Sequence, residues 1–506
     1  MRLESINTIK CLVNVIPCCA FLHPVSAAEQ SITDGQFKPN ILFILVDDYG
    51  IKDAGIEGSK FYETPNIDAL ARSGMRFTQG YAACSVCSPS RASILLGQYP
   101  TRHGITDYLG AEAGEAFAKA RNSKLLPSDY VRNLPATATT LAEALRSAGY
   151  ATFFAGKWHL GGKGAWPEDR GFDINKGGWD AGGPEGGYYA PWTNPKLTSG
   201  PPGQSLTQRL ADETISFIEQ HTNKPFLAYL AFYAVHGPIQ TTKPLWEKYR
   251  AKAVAQPPPK ERFEIDRTLP VRIVQDNPIY AGLIDEMDNA TGRVLKKLDE
   301  LGLTTNTIVI FTSDNGGVVS GDSFSSSQLP YRGGKGRQWE GGTRVPVYIR
   351  APGITPAGST CDTPVSGIDY FPTLLQLAGV TNTPTQIVDG VSIVPLLKGA
   401  CIPPRPLFWH YPHYGNQGGA PGGAVRDGDW KLIEWYEDSR LELFNLRDDI
   451  GETKNLAASN PGKVKELRDK LIQWRKDVGA IMPKPNPNFG KPKGEKKVVP
   501  AAPAEE

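Results

Sequence analysis

Continuous apolar runs punctuate the chain, and each stops at a short polar or glycine-containing segment. The first is Asn40-Ile41-Leu42-Phe43-Ile44-Leu45-Val46, and others run from Tyr150 to Ala155, Pro225 to Tyr233, Thr307 to Phe311 and Val345 to Arg350. A strand wet on one face alternates apolar and polar residues, whereas these do not, so they predict strands buried on both faces of a parallel sheet. Between them the period changes. From Tyr280 to Leu301, apolar residues at 280, 283, 284, 287, 294, 295, 298 and 301 trace one face of a long helix. Leu206 to His221 is amphipathic in the same way, Thr139 to Ser147 predicts a capped helix stopped by Gly149, and Asp369 to Ala378 another. A short helix opens at Pro65, with Thr64 as its cap, and ends at Gly74. Strands alternating with helices predict an α/β fold.

Other stretches lack a period. Residues 105–135 read as a loop-rich insert, and 239–276, with Pro257-Pro258-Pro259, as an irregular excursion. Residues 161–205 are rich in glycine, proline and aromatics, including Trp179, Tyr188, Tyr189 and Trp192. They form either a long surface loop or a pocket wall on which flat rings pack against sugars. Beyond about residue 400, short strands appear from Trp430 to Glu434 and Leu441 to Phe444, before a helix from Pro461 to about Val478. Residues 483–506 read as disordered, and no internal repeat is found.

A length of 506 residues implies one oversized domain or two. The formal net charge of +2 argues against a nucleic-acid partner. No apolar run reaches the ~20 residues that span a bilayer. At the N-terminus, Arg2 and Lys10 precede a mostly apolar stretch to Val25, and Val25-Ser26-Ala27 offers small residues for cleavage. Residues 1–27 read as a secretory signal peptide, which implies a secreted or periplasmic protein; the alternative is an unstructured leader. Cys11, Cys18 and Cys19 fall in this segment, leaving Cys84, Cys87, Cys361 and Cys401. That is no disulfide scaffold. Cys84 reads as a small packed residue, and pairing of Cys361 with Cys401 stays open.

Chemistry-bearing residues gather where the runs end: Asp47-Asp48, Gly156-Lys157-Trp158-His159, His236-Gly237-Pro238 and Asp314-Asn315-Gly316-Gly317. Ligand sites in open α/β sheets lie beyond the carboxyl ends of strands. Adjacent acids there need a cation or hydrogen-bond donors, and a further acid with an amide beside it would complete an all-oxygen shell. Lys157 and His159, two apart on an extended segment, point the same way. Taken singly, each fragment also fits a solvated turn. Glycines around Lys335, in Gly333-Gly334-Lys335-Gly336, would let the backbone pass close to a ligand.

The decisive stretch is Cys87-Ser88-Pro89-Ser90-Arg91-Ala92-Ser93-Ile94-Leu95-Leu96-Gly97. By itself it predicts a helix starting at Pro89 and Ser90, with position 87 at its positive end, and a lone cysteine there is more often a buried structural thiol. The stretch resembles the maturation motif of the type I sulfatases, and matching segments run from Asp47 to about Leu456. The resemblance is to the arylsulfatase A-like branch of the alkaline-phosphatase-like superfamily. It implies an α/β fold with a mixed, mostly parallel sheet flanked by helices, a catalytic domain over residues 38–400 and a small antiparallel-sheet subdomain over 401–480.

The resemblance also implies roles. Cys87 would be converted to formylglycine by a formylglycine-generating enzyme. Asp47, Asp48, Asp314 and Asn315, with position 87, would hold one Ca2+, Mg2+ not being excluded. Arg91, Lys157 and Lys335 would bind sulfate, His159 would act as base, and His236 with Lys335 would protonate the leaving oxygen. The implied reaction is hydrolysis of sulfate esters, on a sulfated carbohydrate such as a glycosaminoglycan or algal galactan, or on an aryl sulfate. His103 reads as structural. His410 to Tyr414 and the glycine-rich 415–423 either project into the pocket or link domains. Two rivals stand: a phosphonate or phosphate monoester hydrolase of the same superfamily, and a non-catalytic glycan-binding relative.

Overall fold

The computed structural model describes residues 38–381 and 384–490. The leader of residues 1–27 and positions 491–506 of the tail lie outside the described residues.

The first apolar run forms β1 (Asn40–Val46), buried along its length. Ile41, Phe43 and Leu45 enter one hydrophobic cluster, while Leu42, Ile44 and Val46 enter another. A strand feeding two cores cannot spare a polar face, which is why the run is unbroken. The remaining strands of the same sheet are β2 (Met75–Phe77), β3 (Ala151–Gly156), β4 (Ile174–Lys176), β5 (Phe226–Ala231), β6 (Thr307–Ser313), β7 (Val347–Arg350) and β8 (Ser359–Cys361). Their spatial order is β8-β2-β7-β6-β1-β5-β3-β4. The block from β6 to β4 is parallel, and β7 runs antiparallel to both β6 and β2.

Helices cover both faces. Cys87–Leu96, Leu141–Ser147 and Tyr370–Leu377 lie on one, and Pro65–Ser73, Leu206–Gln220 and Pro278–Glu300 on the other. In the last, Met287, Val294 and Leu298 are wholly buried, each contributing roughly 1.5–3 kcal/mol of apolar burial. Beyond the large sheet, Leu407–Tyr411, Gly422–Asp427, Trp430–Trp435 and Leu441–Asn445 form an antiparallel sheet in chain order. The helix Pro461–Asp477 packs on it through Leu467, Leu471 and Trp474.

Several expectations need correction. Residues 105–135 contain a helix, Gly114–Arg121, and the strand Leu125–Leu126. That strand pairs with Lys484–Pro485, so the segment from 483 is not disordered throughout. Residues 239–276 hold the helix Lys243–Ala255 and a hairpin of Phe263–Asp266 with Leu269–Arg272. The helix buries only Tyr249, too little to leave an apolar stripe in the sequence. Cys361 and Cys401 are both free: the first is held in register in β8 opposite Phe77, the second exposed in a connecting segment. Thr64 precedes its helix but does not cap it; its hydroxyl donates to Asp68 instead.

Candidate functional site

The helix that begins at Cys87 is buried over all of Cys87–Leu96 and starts two residues before Pro89, after an extended Val86. Cys87 therefore lies on the first turn, where unpaired N–H groups favour negative charge. Gly97 ends the helix in the left-handed conformation, its N–H donating to Ser93 O.

Parallel pairing brings the acids together. Val46 is the partner of Ser313 across β1 and β6, so Asp47-Asp48 and Asp314 leave adjacent strands side by side. One ligand oxygen from each of Asp47, Asp48 and Asp314 lies within 4.8 Å of the others, in full burial. Asp48 has a left-handed backbone (φ 61), uncommon for a residue with a side chain and concentrated at functional positions. Its N–H donates to Asp314 Oδ1 at 3.1 Å, and Asn315 Nδ2 donates to Asp48 Oδ1 at 2.8 Å.

Basic groups surround the acids. Lys157 Nζ is 2.6 Å from Asp47 Oδ2, and Lys335 Nζ is 2.8 Å from Asp48 Oδ2. Arg91, one helical turn beyond Cys87, donates through Nε to Asp314 Oδ2 at 2.7 Å and through Nη1 to Lys157 O at 2.8 Å. Its Nη2 lies 3.6 Å from Asp47 Oδ1. Arg91 thus ties position 87 to both acid-bearing loops. Burial, with Asp314 and Asp48 nearby, pushes the Asp47 carboxyl up against the pull of Lys157. Burial also opposes ionisation of Asp48, but Lys335 and His236 outweigh it and hold that carboxyl low. Burial acts against the Lys335 ammonium too, yet Asp48 keeps its proton on.

The donor set fits a hard cation. Asp47 Oδ1 and Asn315 Oδ1 are buried acceptors without a hydrogen-bond donor among the described residues. The three acids and three bases cancel in formal charge, so a divalent ion there would leave net positive charge for an anionic ligand.

His159 follows β3 but is not on an extended segment: its φ is 55. That twist, and its N–H bond to Trp179 O at 3.1 Å, bring its ring to position 87. His159 Nε2 is 3.0 Å from Leu109 O. A carbonyl only accepts, so Nε2 carries the hydrogen and Nδ1 presents its lone pair. Nδ1 lies 3.4 Å from Cys87 Sγ. Burial first, then Lys157, pull its imidazole well below the usual histidine range, so it is neutral.

His236 lies across the site. Its Nδ1 faces Gly237 O at 2.7 Å, and by the same argument donates to it. Nε2 is 3.7 Å from Asp48 Oδ2, and 21% of the side chain is exposed, more than for the acids and lysines beside it. Burial and then Lys335 draw its pKa down to about 3. An open cleft of about 500 Å³ begins at this histidine.

Residues 39–380 match the family model described as Sulfatase. The chain belongs to the sulfatase family. Residues 335–477 of this sulfatase also match the model described as N-sulphoglucosamine sulphohydrolase, C-terminal. A sulfatase of Formosa agariphila is 31% identical, covering 90% of this chain and 91% of its own. The N-acetylgalactosamine-6-sulfatase of Canis lupus familiaris is 32% identical, over 86% of this chain and 78% of its own. The solved structure of Ps i-CgsB in complex with k-i-k-neocarrahexaose superposes with a TM-score of 0.71 at 28% identity, covering 87% of this chain and 93% of that one. The protein is a sulfatase enzyme, a hydrolase of sulfate esters, on the alkaline-phosphatase-like fold.

Some residues near the sulfatase site carry no sequence signal of their own. Ser88 Oγ accepts from Leu109 N at 3.1 Å, fixing the carbonyl that orients His159. Asp322 lies 3.9 Å from Lys335 Nζ and accepts from Asn416 and Gln417, so the 415–423 loop reaches the site's edge through it. His410 and His413 do not project into the cleft; both are buried, against Tyr436 and Thr106. His103 is buried beside Ser93 Oγ. Of the aromatics in 161–205, Tyr188 and Trp192 are core residues rather than a sugar platform. The Tyr188 hydroxyl donates to the carbonyls of Tyr233 and His236, at 2.7 and 2.8 Å.

Proposed function

We propose that this sulfatase works through formylglycine at position 87 and one divalent cation, calcium before magnesium, held by Asp47, Asp48, Asp314 and Asn315. The observation that carries the reading is the 3.4 Å approach of the His159 lone pair to position 87, on a helix tied by Arg91 to the buried acids. Cleaving a sulfate ester needs a strong nucleophile, positive charge around the sulfate oxygens and a proton for the departing alcohol. Formylglycine, as its hydrate, would supply an oxygen nucleophile and a second hydroxyl whose deprotonation would expel sulfate as the aldehyde re-forms. The cation supplies Lewis-acid charge at the same point.

The chain's own residues do the rest. Lys157, Lys335 and Arg91 hold the sulfate, and Arg91 also positions residue 87. His159 Nδ1 takes a proton from residue 87. Lys335, which keeps its proton, and His236, which gains one once an anionic ester is beside it, serve the leaving oxygen. The substrate is a sulfated carbohydrate, a reading supported by the neocarrahexaose in the Ps i-CgsB complex and by the name of the canine relative. Export to the periplasm or outside the cell follows from the residue 1–27 pattern, with a formylglycine-generating enzyme as the maturation partner.

Protein made together with that enzyme should turn over an aryl sulfate with higher kcat/KM than the matching aryl phosphate. It should lose activity and melt at lower temperature after chelation, both recovering with calcium. Equal or greater phosphate turnover would overturn the reading.

A further inference from the structure

The cleft of about 500 Å³ runs on from His236 between two backbone walls. One wall is the glycine-rich segment 183–187, the other Gly237, Pro238 and Gln240. The segment's start is pressed against the catalytic rings. A Cβ on Gly182 would lie 2.6 Å from His159 Cε1, and one on Gly183 3.7 Å from His236 Nδ1. The cleft therefore opens where the proposed function places the leaving oxygen, and its occupant is the alcohol half of the ester.

The lining of this cleft contains neither lysine nor arginine. Glu185, at its exposed rim, accepts from Thr193 N through its backbone carbonyl at 2.8 Å, but its carboxylate has no hydrogen-bond or ion-pair partner among the described residues. Gln240, which also lines the cleft, accepts from Tyr188 N at 2.7 Å through Oε1, which leaves its amide NH2 as an available donor. Backbone walls, one amide donor and one free carboxylate suit a ring carrying hydroxyl groups. They disfavour a second anionic group, which would sit near Glu185 with no cation to offset it.

We infer that the alcohol bound in this cleft is a neutral, hydroxyl-bearing sugar, and that Glu185 and Gln240 are specificity-determining residues that select it over a uronate or doubly sulfated sugar. The inference rests on the sulfatase reading of His236. Its test compares kcat/KM for two oligosaccharides with the same scissile sulfate, one with a neutral ring and the other with a second sulfate on that ring. The wild-type protein should prefer the first. Glu185→Gln should shrink the ratio about fivefold, the scale of one partly solvated charge contact. In wild type the ratio should also shrink as salt is raised, which needs no variant. A wild-type preference for the doubly sulfated sugar, or a ratio unmoved by both Glu185→Gln and salt, overturns the inference while leaving sulfate hydrolysis intact. Absence of turnover on both sugars and on an aryl sulfate overturns the sulfatase reading and this inference with it.

Discussion

Single residues at this site are constrained by how closely others approach them. Gly182 is the clearest case, because a methyl group there would meet the His159 ring at 2.6 Å. Gly182→Ala should lower kcat by about 100-fold, the cost of an ångström-scale displacement of a reacting group, with little change in melting temperature. Nothing in the string Asp180-Ala181-Gly182-Gly183 marks this, since the contact is made across the fold. Asp107 is another buried residue with no motif around it. Tyr411 donates to it at 2.8 Å, and His413 Nδ1 lies 3.5 Å away. Burial pushes the Asp107 carboxyl up to about 8 and draws His413 down to about 3, so between these values the pair is uncharged. Unfolding releases the carboxyl proton above the ordinary value of 3.8, whereas the fold retains it to about 8. The folded state binds more protons in that window, so the contribution of Asp107 to stability falls as pH rises through it. Asp107→Asn should flatten the loss of melting temperature between pH 5 and 8. An unchanged slope would show that the group titrates normally.

At the scale of elements, legibility follows burial. β1 and β5 read as strands because both faces are apolar, and the helix Pro278–Glu300 because one face is. The helices Gly114–Arg121 and Lys243–Ala255 escape detection because each buries a single residue, Ala118 or Tyr249. The helix starting at Cys87 is buried on every side, so its period is blurred and its motif identifies it instead. Contacts between elements are also invisible in sequence. Lys431, in the antiparallel sheet, lies 3.0 Å from Glu340 Oε1 and 3.0 Å from Glu452 Oε1, all three side chains fully buried. Glu340 also receives the Tyr81 hydroxyl at 2.6 Å and Arg344 at 3.2 Å, so this cluster joins the small sheet to the loop after Lys335. Lys431→Ala leaves buried carboxylates short of a cation and should cost about 3 kcal/mol, read as a lower urea midpoint.

For the whole molecule, the fold's contribution is convergence. Residues at Asp47, Cys87, Lys157, His236, Asp314 and Lys335 come from segments far apart in sequence; parallel strand ends, a helix start at Cys87 and the glycine-rich turn at Lys335 bring them to one buried place. That each except Cys87, which opens a helix, lies beyond a strand end or in a glycine-rich turn is legible in the sequence, because the preceding apolar runs are. Their mutual distances depend on strand order, which the runs do not encode. The cleft beyond His236 depends on a loop whose Tyr188 and Trp192 face the core, which neither the surface-loop nor the pocket-wall reading of its composition anticipates. The central claim is that sulfate hydrolysis passes through position 87, and one measurement addresses it: kcat/KM on an aryl sulfate for Cys87→Ala beside the parent, both made with a formylglycine-generating enzyme. A fall of about 10³-fold or more is predicted, as for loss of a nucleophile. Activity within tenfold of the parent would contradict the account.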